Sequence, residues 1–442
     1  MAPSPERRHP TAAITPPDHH LRDVLSWLEG RKHLGIQPGL SRVATLLEAM
    51  GNPQDGYRSI HIAGTNGKGS VANYIARALE EAAHRTGLFT SPALLDVTDT
   101  IAVDGMSITN DQLARLIDRL KPTTAWLDDN GDPPTYFELL TVIALTWFRE
   151  AGVAWAVVEA GMGGRLDSTN VLQPELAVIT NVSRDHEAHL GETIAAIAAE
   201  KAGIIKTAAP VVTAAQGEAL AVIEGACQEK HAPIVVIGRD YRVVPSDDDR
   251  LVLITPNGKV SYRLIAEGQH QRENAALAVA SCDLLAESGV SLPAGAVERA
   301  LAETRVPGRI EVLLHDATRV ILDGAHNVAA AQALRLYLEA LDTQFHLIVG
   351  FSRDKDWPAM LRQWVHLANR VTATRMGAER SIDPALVAPH IPGDVPFTTA
   401  TCFPEAWGLV DATDVVVAGS LFLVGEARSY LLGTGARSAT KR

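Results

Sequence analysis

The stretch "SIHIAGTNGKGSVANYIARALEEA", Ser59 to Ala82, carries an apolar run into a glycine-rich turn with one lysine, and helical periodicity follows. Strand, turn and helix in that order aim backbone N–H groups and the positive end of a helix dipole at one point, which suits a phosphate. The standard phosphate-loop pattern has Gly six residues before the Lys and Ser or Thr directly after it. Here Ile62 takes the place of that Gly, and Gly69 intervenes before Ser70. The turn Gly64-Thr65-Asn66-Gly67-Lys68-Gly69-Ser70 keeps the cation Lys68, and it keeps in Ser70 a hydroxyl that can hold a Mg²⁺ bridging phosphate oxygens. The alternative is a tight turn with a solvated lysine, and the flanking strand and helix patterns speak against it.

Outward from this turn, apolar strand runs alternate with helical patterns. "RTGLFTSP", "WAVVEAGMGG", "LAVITNVS", "APVVTAA" and "PIVVIG" read as strands, with "TYFELLTVIALTWFREA" and "GETIAAIAAEKAGII" among the helices. That alternation predicts a mostly parallel sheet covered on both faces. The short alternating runs from Arg239 to Leu264, with Asn257-Gly258, predict an antiparallel hairpin insertion. "AETRVPGRIEVL" interrupts the pattern, and α/β alternation restarts beyond it. The reading is a disordered leader (1–20), an ATP-binding domain (21–303), a linker (304–309), a smaller Rossmann-like α/β domain (310–432) and a tail (433–442).

The 442 residues amount to roughly two or three domains. Net charge is −12, from 40 Lys+Arg against 52 Asp+Glu, which argues against a nucleic-acid or anionic-membrane binder. A local basic pocket for a small anion remains compatible with it. Cys227, Cys282 and Cys402 are scattered, which excludes a disulfide framework and suits a reducing cytoplasm. No apolar run approaches the length of a membrane span.

Several further polar clusters fall at strand ends, where ligands collect in α/β sheets. Glu159 closes "WAVVE" ahead of Gly161, Gly163 and Gly164, and is a candidate Mg²⁺ ligand. Asp185-His186 follows the next strand, with His186 suited to a metal and Asp185 to orienting it. Lys201, near the end of an apolar helix, reads from spacing alone as a snorkelling surface lysine. Asp323 and His326 in "VILDGAHN" place a polar cluster in the second domain, able to face the first across a cleft. Arg309, in the linker, has the reach for a bidentate phosphate contact.

These pieces in this order resemble the Mur ligase superfamily and, more narrowly, folylpolyglutamate synthase/dihydrofolate synthase. The likeness runs from about Leu21 to Leu432 and rests on "HIAGTNGKGS", "TSP", "TYFELLT", "EAGMGGRLDSTN", "TNVSRDHEAHLGETIAAIAAEKAGIIK", "GQHQRENAA", "VPGR", "LDGAHN" and "AGSLFLVGEAR". The resemblance implies that Lys68 and the Thr65–Ser70 backbone (Thr65, Asn66, Gly67, Gly69, Ser70) hold ATP phosphates. It implies that Ser70 and Glu159 bind one Mg²⁺, and that His186 binds a second, bridged by a carbamate on Lys201. K⁺ is a further implied cation. Asn274, Arg309 and Asp323 match ATP contacts. His326 and Ser420 match residues near the transferring phosphate and the incoming glutamate.

The implied activity is ADP-forming ligation of L-glutamate to dihydropteroate or tetrahydrofolate through an acyl phosphate, by a cytoplasmic monomer. One region departs from the pattern. After "TSP" the family continues with His-Leu and an Arg-Glu-Arg-Ile-like stretch, whereas this chain reads Ala93-Leu94-Leu95-Asp96-Val97-Thr98-Asp99-Thr100-Ile101. "LIVGFSRDKDW" also varies, with Phe351-Ser352-Arg353 before its Asp-Lys-Asp. The lost imidazole and arginines keep open a related ligase acting on a different acid. A phosphate-loop NTPase without ligase chemistry is the remaining alternative, and Lys201 with Asp323 and His326 speaks against it.

Overall fold

The computed structural model describes residues 19–246, 250–378 and 380–438. Each parallel strand is an apolar run buried on both faces. In Trp155–Glu159, Trp155 and Val157 pack with the phosphate-loop helix Lys68–Glu81, while Ala156 and Val158 pack with the helix Tyr136–Ala151. That period of two sandwiches the sheet between helices.

The first sheet has eight strands. Its spatial order is Met106–Ser107, Ile101–Val103, Thr86–Phe89, Trp155–Glu159, Arg58–Ala63, Leu176–Ile179, Val211–Thr213 and Ile234–Val236. The last six run parallel, and the first two add an antiparallel edge. The strand Arg58–Ala63 lies between Trp155–Glu159 and Leu176–Ile179, so the phosphate loop, Glu159 and the Thr180–His186 loop leave the sheet side by side. A three-stranded antiparallel sheet, Arg242–Val244, Arg250–Thr255 and Gly258–Arg263, forms the insertion.

The second sheet has seven strands, ordered Phe397–Ala400, Ala368–Thr374, Phe345–Val349, Asp414–Ala418, Thr318–Asp323, Glu311–His315 and Arg437–Ser438. Its first five strands are parallel and its last two pair antiparallel. The fold is the expected one: a mostly parallel α/β unit with a small antiparallel insertion, then a smaller α/β unit.

Two expectations at the chain ends are corrected. His19 and His20, read as leader, begin the amphipathic helix His19–Gly30, which buries Val24 and Leu28. The remainder of the leader lies outside the described residues, as do the last four residues of the tail. Within the tail, Arg437–Ser438 forms a strand, because the edge of Glu311–His315 offers it backbone partners.

Candidate active site

A cavity of about 370 Å³ lies between the two sheets. It is lined by the phosphate loop, Glu159, His186, Lys201, Asn274, Arg309, Asp323 and His326. Lys68 opens the helix that follows the loop, and Gly67 caps that helix with φ +85°. A Cβ on Gly67 would lie 2.2 Å from Asn274 Oδ1, and one on Gly64 (φ +150°) would lie 1.9 Å from Thr180 Oγ1. Only glycine satisfies both the backbone angle and the approach.

The loop is held from the neighbouring strand end. Thr65 N–H donates to the Asn181 carbonyl at 2.9 Å, and Asn66 N–H donates to Asn181 Oδ1 at 3.0 Å. Thr180 Oγ1 donates to the Asn66 carbonyl at 2.6 Å. Fixing the loop from outside leaves its remaining amides and Lys68 for an anion. Lys68 Nζ stands 3.8 Å from Glu159 Oε1.

Glu159 is 3% exposed, and its Oε2 accepts from Ser91 N–H at 3.1 Å. Burial raises its pKa, with Lys68 working against that shift. Ser70 is buried, and its Oγ accepts from Gln271 Nε2 at 3.4 Å. Lys201 is 2% exposed, so the surface lysine read from spacing is not what the fold makes. Its Nζ donates to the Gly64 carbonyl at 2.9 Å, under the phosphate loop. Burial, then the charge of Lys68, pushes its pKa down to about 7, against Asp185 and Asp167.

Asp185 is the hub between the two halves of the chain. Lys355 Nζ lies 2.6 Å from Oδ1, Asn327 Nδ2 donates to Oδ2 at 3.0 Å, and His326 Nε2 is 4.0 Å away. Burial opposes ionisation of Asp185, yet His186 and the Lys355 ammonium hold it well below the usual carboxylate range. His186 has φ +53° and directs its ring toward Asp185 at 3.9 Å. Burial, then Arg309, lowers the His326 pKa to about 4, and its Nδ1 bonds the Gly324 carbonyl at 2.9 Å. Asp323 accepts from the Ile310 and Ala325 amides, both at 2.9 Å.

One expected residue stands apart. Ser420 does not line this cavity; its Oγ accepts from Phe422 N–H at 3.2 Å and caps the helix Leu421–Gly433. The loop after the "TSP" stretch is also resolved in physical terms. Asp96 accepts from Thr98 N–H at 2.9 Å, while Asp99 accepts from Leu95 and Asp96 N–H at 3.2 and 3.1 Å. Both carboxylates fold the loop on itself as a capping box rather than face the cavity.

The comparisons with known proteins turn this geometry into a family. The Mur ligase middle domain matches residues 62–282, and the dihydrofolate synthetase C-terminal domain matches 309–382. The dihydrofolate synthase/folylpolyglutamate synthase of Bacillus subtilis is 35% identical over 361 residues, 79% of this chain and 84% of that protein.

The chain belongs to the folylpolyglutamate synthase/dihydrofolate synthase family.

The same family contains the solved Mycobacterium tuberculosis folylpolyglutamate synthase complexed with ADP. Its TM-score is 0.85 at 32% identity, covering 95% of this chain and 99% of that one. A probable bifunctional folylpolyglutamate synthase/dihydropteroate synthase of Haloferax volcanii is 33% identical over 431 residues. That match covers 92% of this chain, which spans half the length of the archaeal protein.

Sequence reasoning left out several residues that shape this family member's cleft: Ser91, Asn181, Gln271, Asn327 and Lys355. Gln271 and Asn327 sit beside residues that were singled out, in "GQHQRENAA" and "LDGAHN". Lys355 lies in the Asp-Lys-Asp of "LIVGFSRDKDW", but its partner Asp185, 170 positions away, is not visible from that stretch.

Proposed function

We propose that the protein is an ADP-forming ligase that joins L-glutamate to dihydropteroate or a folate through an acyl phosphate. The observation that carries this reading is the cleft itself. A phosphate loop, a buried carboxylate (Glu159) and a buried lysine (Lys201) face Asp323 and His326 from the second sheet across one cavity. A nucleotide switch needs no such second wall.

In this reading Lys68 and the Thr65–Ser70 amides hold the ATP phosphates, and Asn274, Arg309 and Asp323 contact the nucleotide. Ser70 and Glu159 would hold one Mg²⁺; His186 and a carbamate on Lys201 would hold a second, with K⁺ as a further cation. The donors suit the metal: a hydroxyl and a carboxylate are hard oxygens, and Mg²⁺ takes one or two carboxylates together with substrate phosphates. Lys201 as an ammonium offers a metal no lone pair and as a neutral amine only a nitrogen, whereas a carbamate offers the hard oxygens that Mg²⁺ prefers. A pKa near 7 leaves much of it neutral and nucleophilic toward CO₂. Magnesium, when bound, supplies charge neutralisation and Lewis acidity at the transferring phosphoryl group.

The acid's carboxylate oxygen attacks the γ-phosphorus and ADP leaves. The neutral glutamate amine then attacks the acyl carbon, the acyl C–O bond breaks, and phosphate leaves carrying the amine's proton. No protein nucleophile is required. The chain aligns two anions, offsets their charge with Lys68 and Arg309, and excludes water from the acyl phosphate. In this reading His326, in the cavity, and Ser420, outside it, would meet the incoming glutamate. Ser420 retains its hydroxyl proton for donation because its oxygen only accepts in the helix cap. Three unpaired cysteines support a reducing compartment, and the reading includes a cytoplasmic monomer.

The test is direct. With ATP, Mg²⁺, L-glutamate and dihydropteroate or tetrahydrofolate, ADP release depends on both the acid and glutamate, and the product gains one glutamyl mass. ATP turnover indifferent to any acid would sink the reading.

A further inference from the structure

The loop that departs from the family pattern packs against the second half of the chain. It leaves the first sheet after Phe89 and returns at Ile101, closed at its base by Thr90 N–H donating to the Thr100 carbonyl at 3.0 Å. Its tip carries Leu94, which packs on the core cluster of the second unit that includes Leu423, Val424 and Ala427. Beneath the tip lies Gly425, inside the helix Leu421–Gly433. A Cβ there would sit 2.0 Å from the Leu94 carbonyl oxygen and 3.6 Å from Leu95 Cδ2.

A glycine in a helix interior weakens the helix. Its φ is not in the left-handed region, so local backbone geometry does not demand it. The approach of the loop does. At its other end the same loop begins with Ser91, whose N–H donates to Glu159 Oε2 at 3.1 Å. Between Ser91 and the tip lie only Pro92 and Ala93, and just beyond the tip Asp96 and Asp99 tie the amides of Leu95, Asp96 and Thr98 together. A short, self-tied segment thus connects the surface of the second unit to the carboxylate beside Lys68.

We propose that Leu94 and Gly425 are positioning residues. Their contact is the catch through which seating of the C-terminal unit sets Glu159 for the metal–nucleotide. This rests on the reading of Glu159 as a magnesium ligand. Neither residue touches a reacting group, and the effect passes along the loop through Ser91.

The test titrates ADP calorimetrically into wild type, Gly425→Ala and Leu94→Ala, each with and without Mg²⁺. Alanine favours the helix, so damage from Gly425→Ala is not damage to the helix itself. Magnesium-free ADP affinity stays at the wild-type value in all three. The gain on adding Mg²⁺ shrinks by about five-fold or more in Gly425→Ala, in line with coupling between sites, and in the same direction in Leu94→Ala. Turnover with Mg²⁺ falls in both variants. An unchanged magnesium-linked gain in either variant overturns the catch, because a merely structural contact predicts that result. Equal losses with and without Mg²⁺ overturn it too. A wild type with no magnesium-linked gain removes the metal role from Glu159 and the catch with it. Failure of the ligase reading would show separately, as ATP turnover by wild type that ignores glutamate.

Discussion

The side-chain amide of Asn327 donates to Asn66 Oδ1 at 2.9 Å, and the Asn66 amide returns a bond to Asn327 Oδ1 at 3.3 Å. One residue of the second unit therefore grips the phosphate loop, and it also donates to Asp185 and caps the helix Val328–Ala340. Asn327→Asp keeps a good helix cap but removes both donors and sets a carboxylate beside Asp185. Turnover is expected to drop on the order of ten-fold or more, the loss of a charge-assisted bond, and the melting temperature to fall as well, because two carboxylates then share a buried site. Steady-state kinetics beside a thermal melt checks this. Wild-type turnover would mean the grip on Asn66 is incidental.

Lys201→Ala removes the buried amine under Gly64. Activity is expected to fall, and short carboxylic acids are expected to restore part of it by lending the oxygens that the carbamate would supply. Activity assays with and without acetate or formate decide it; activity equal to wild type would dismiss the carbamate.

Gly64→Ala forces a Cβ to within 1.9 Å of Thr180 Oγ1 at a φ of +150°. A strain of about 1–3 kcal/mol is expected, with nucleotide binding lost because the loop must move. Chemical denaturation and ADP calorimetry read the two effects separately. Unaltered ADP binding would show that the loop tolerates the shift.

Stability is expected to fall in acid. Burial, then Lys206, lowers His61 from its ordinary pKa to about 3, and burial, then Arg370, lowers His346 to about 4. Nδ1 of each is buried without a hydrogen-bond partner, as a neutral ring allows. The unfolded chain binds these protons from about pH 6.5 downward, while the native one resists until near pH 4. The stability held by these neutral rings is whole above that window and is lost as pH drops through it. Melts from pH 7.5 to 4.5 give the slope, and His61→Gln should flatten it. An identical slope in the variant would place the acid sensitivity elsewhere.

Much of this molecule is legible in its residues because local rules decide it. The run into Gly64, the Thr135 cap with Glu138 three residues on, and the strand ends at Glu159 and Asp323 each follow from spacing and turn chemistry. The pair Asp96 and Asp99 also carried its answer, since Asp with an acidic residue three positions later is a capping arrangement. Lys201 is not readable from spacing alone; the family resemblance is what singles it out. Whether a lysine at a helix end is solvated or buried depends on what packs over it, and the covering group is the Gly64 carbonyl, 137 positions away. Lys355 and Asn327 gain their meaning only when two independently patterned sheets meet.

The two-residue strand Arg437–Ser438 guards a sheet edge. It pairs with Leu313 and Leu314, along the outer strand of the second sheet, and Leu314 is itself 45% exposed. An open edge with an exposed leucine is a template for another chain. Ending the protein at Ala436 should therefore leave catalysis intact yet make concentrated samples self-associate, visible as a growing hydrodynamic radius in light scattering.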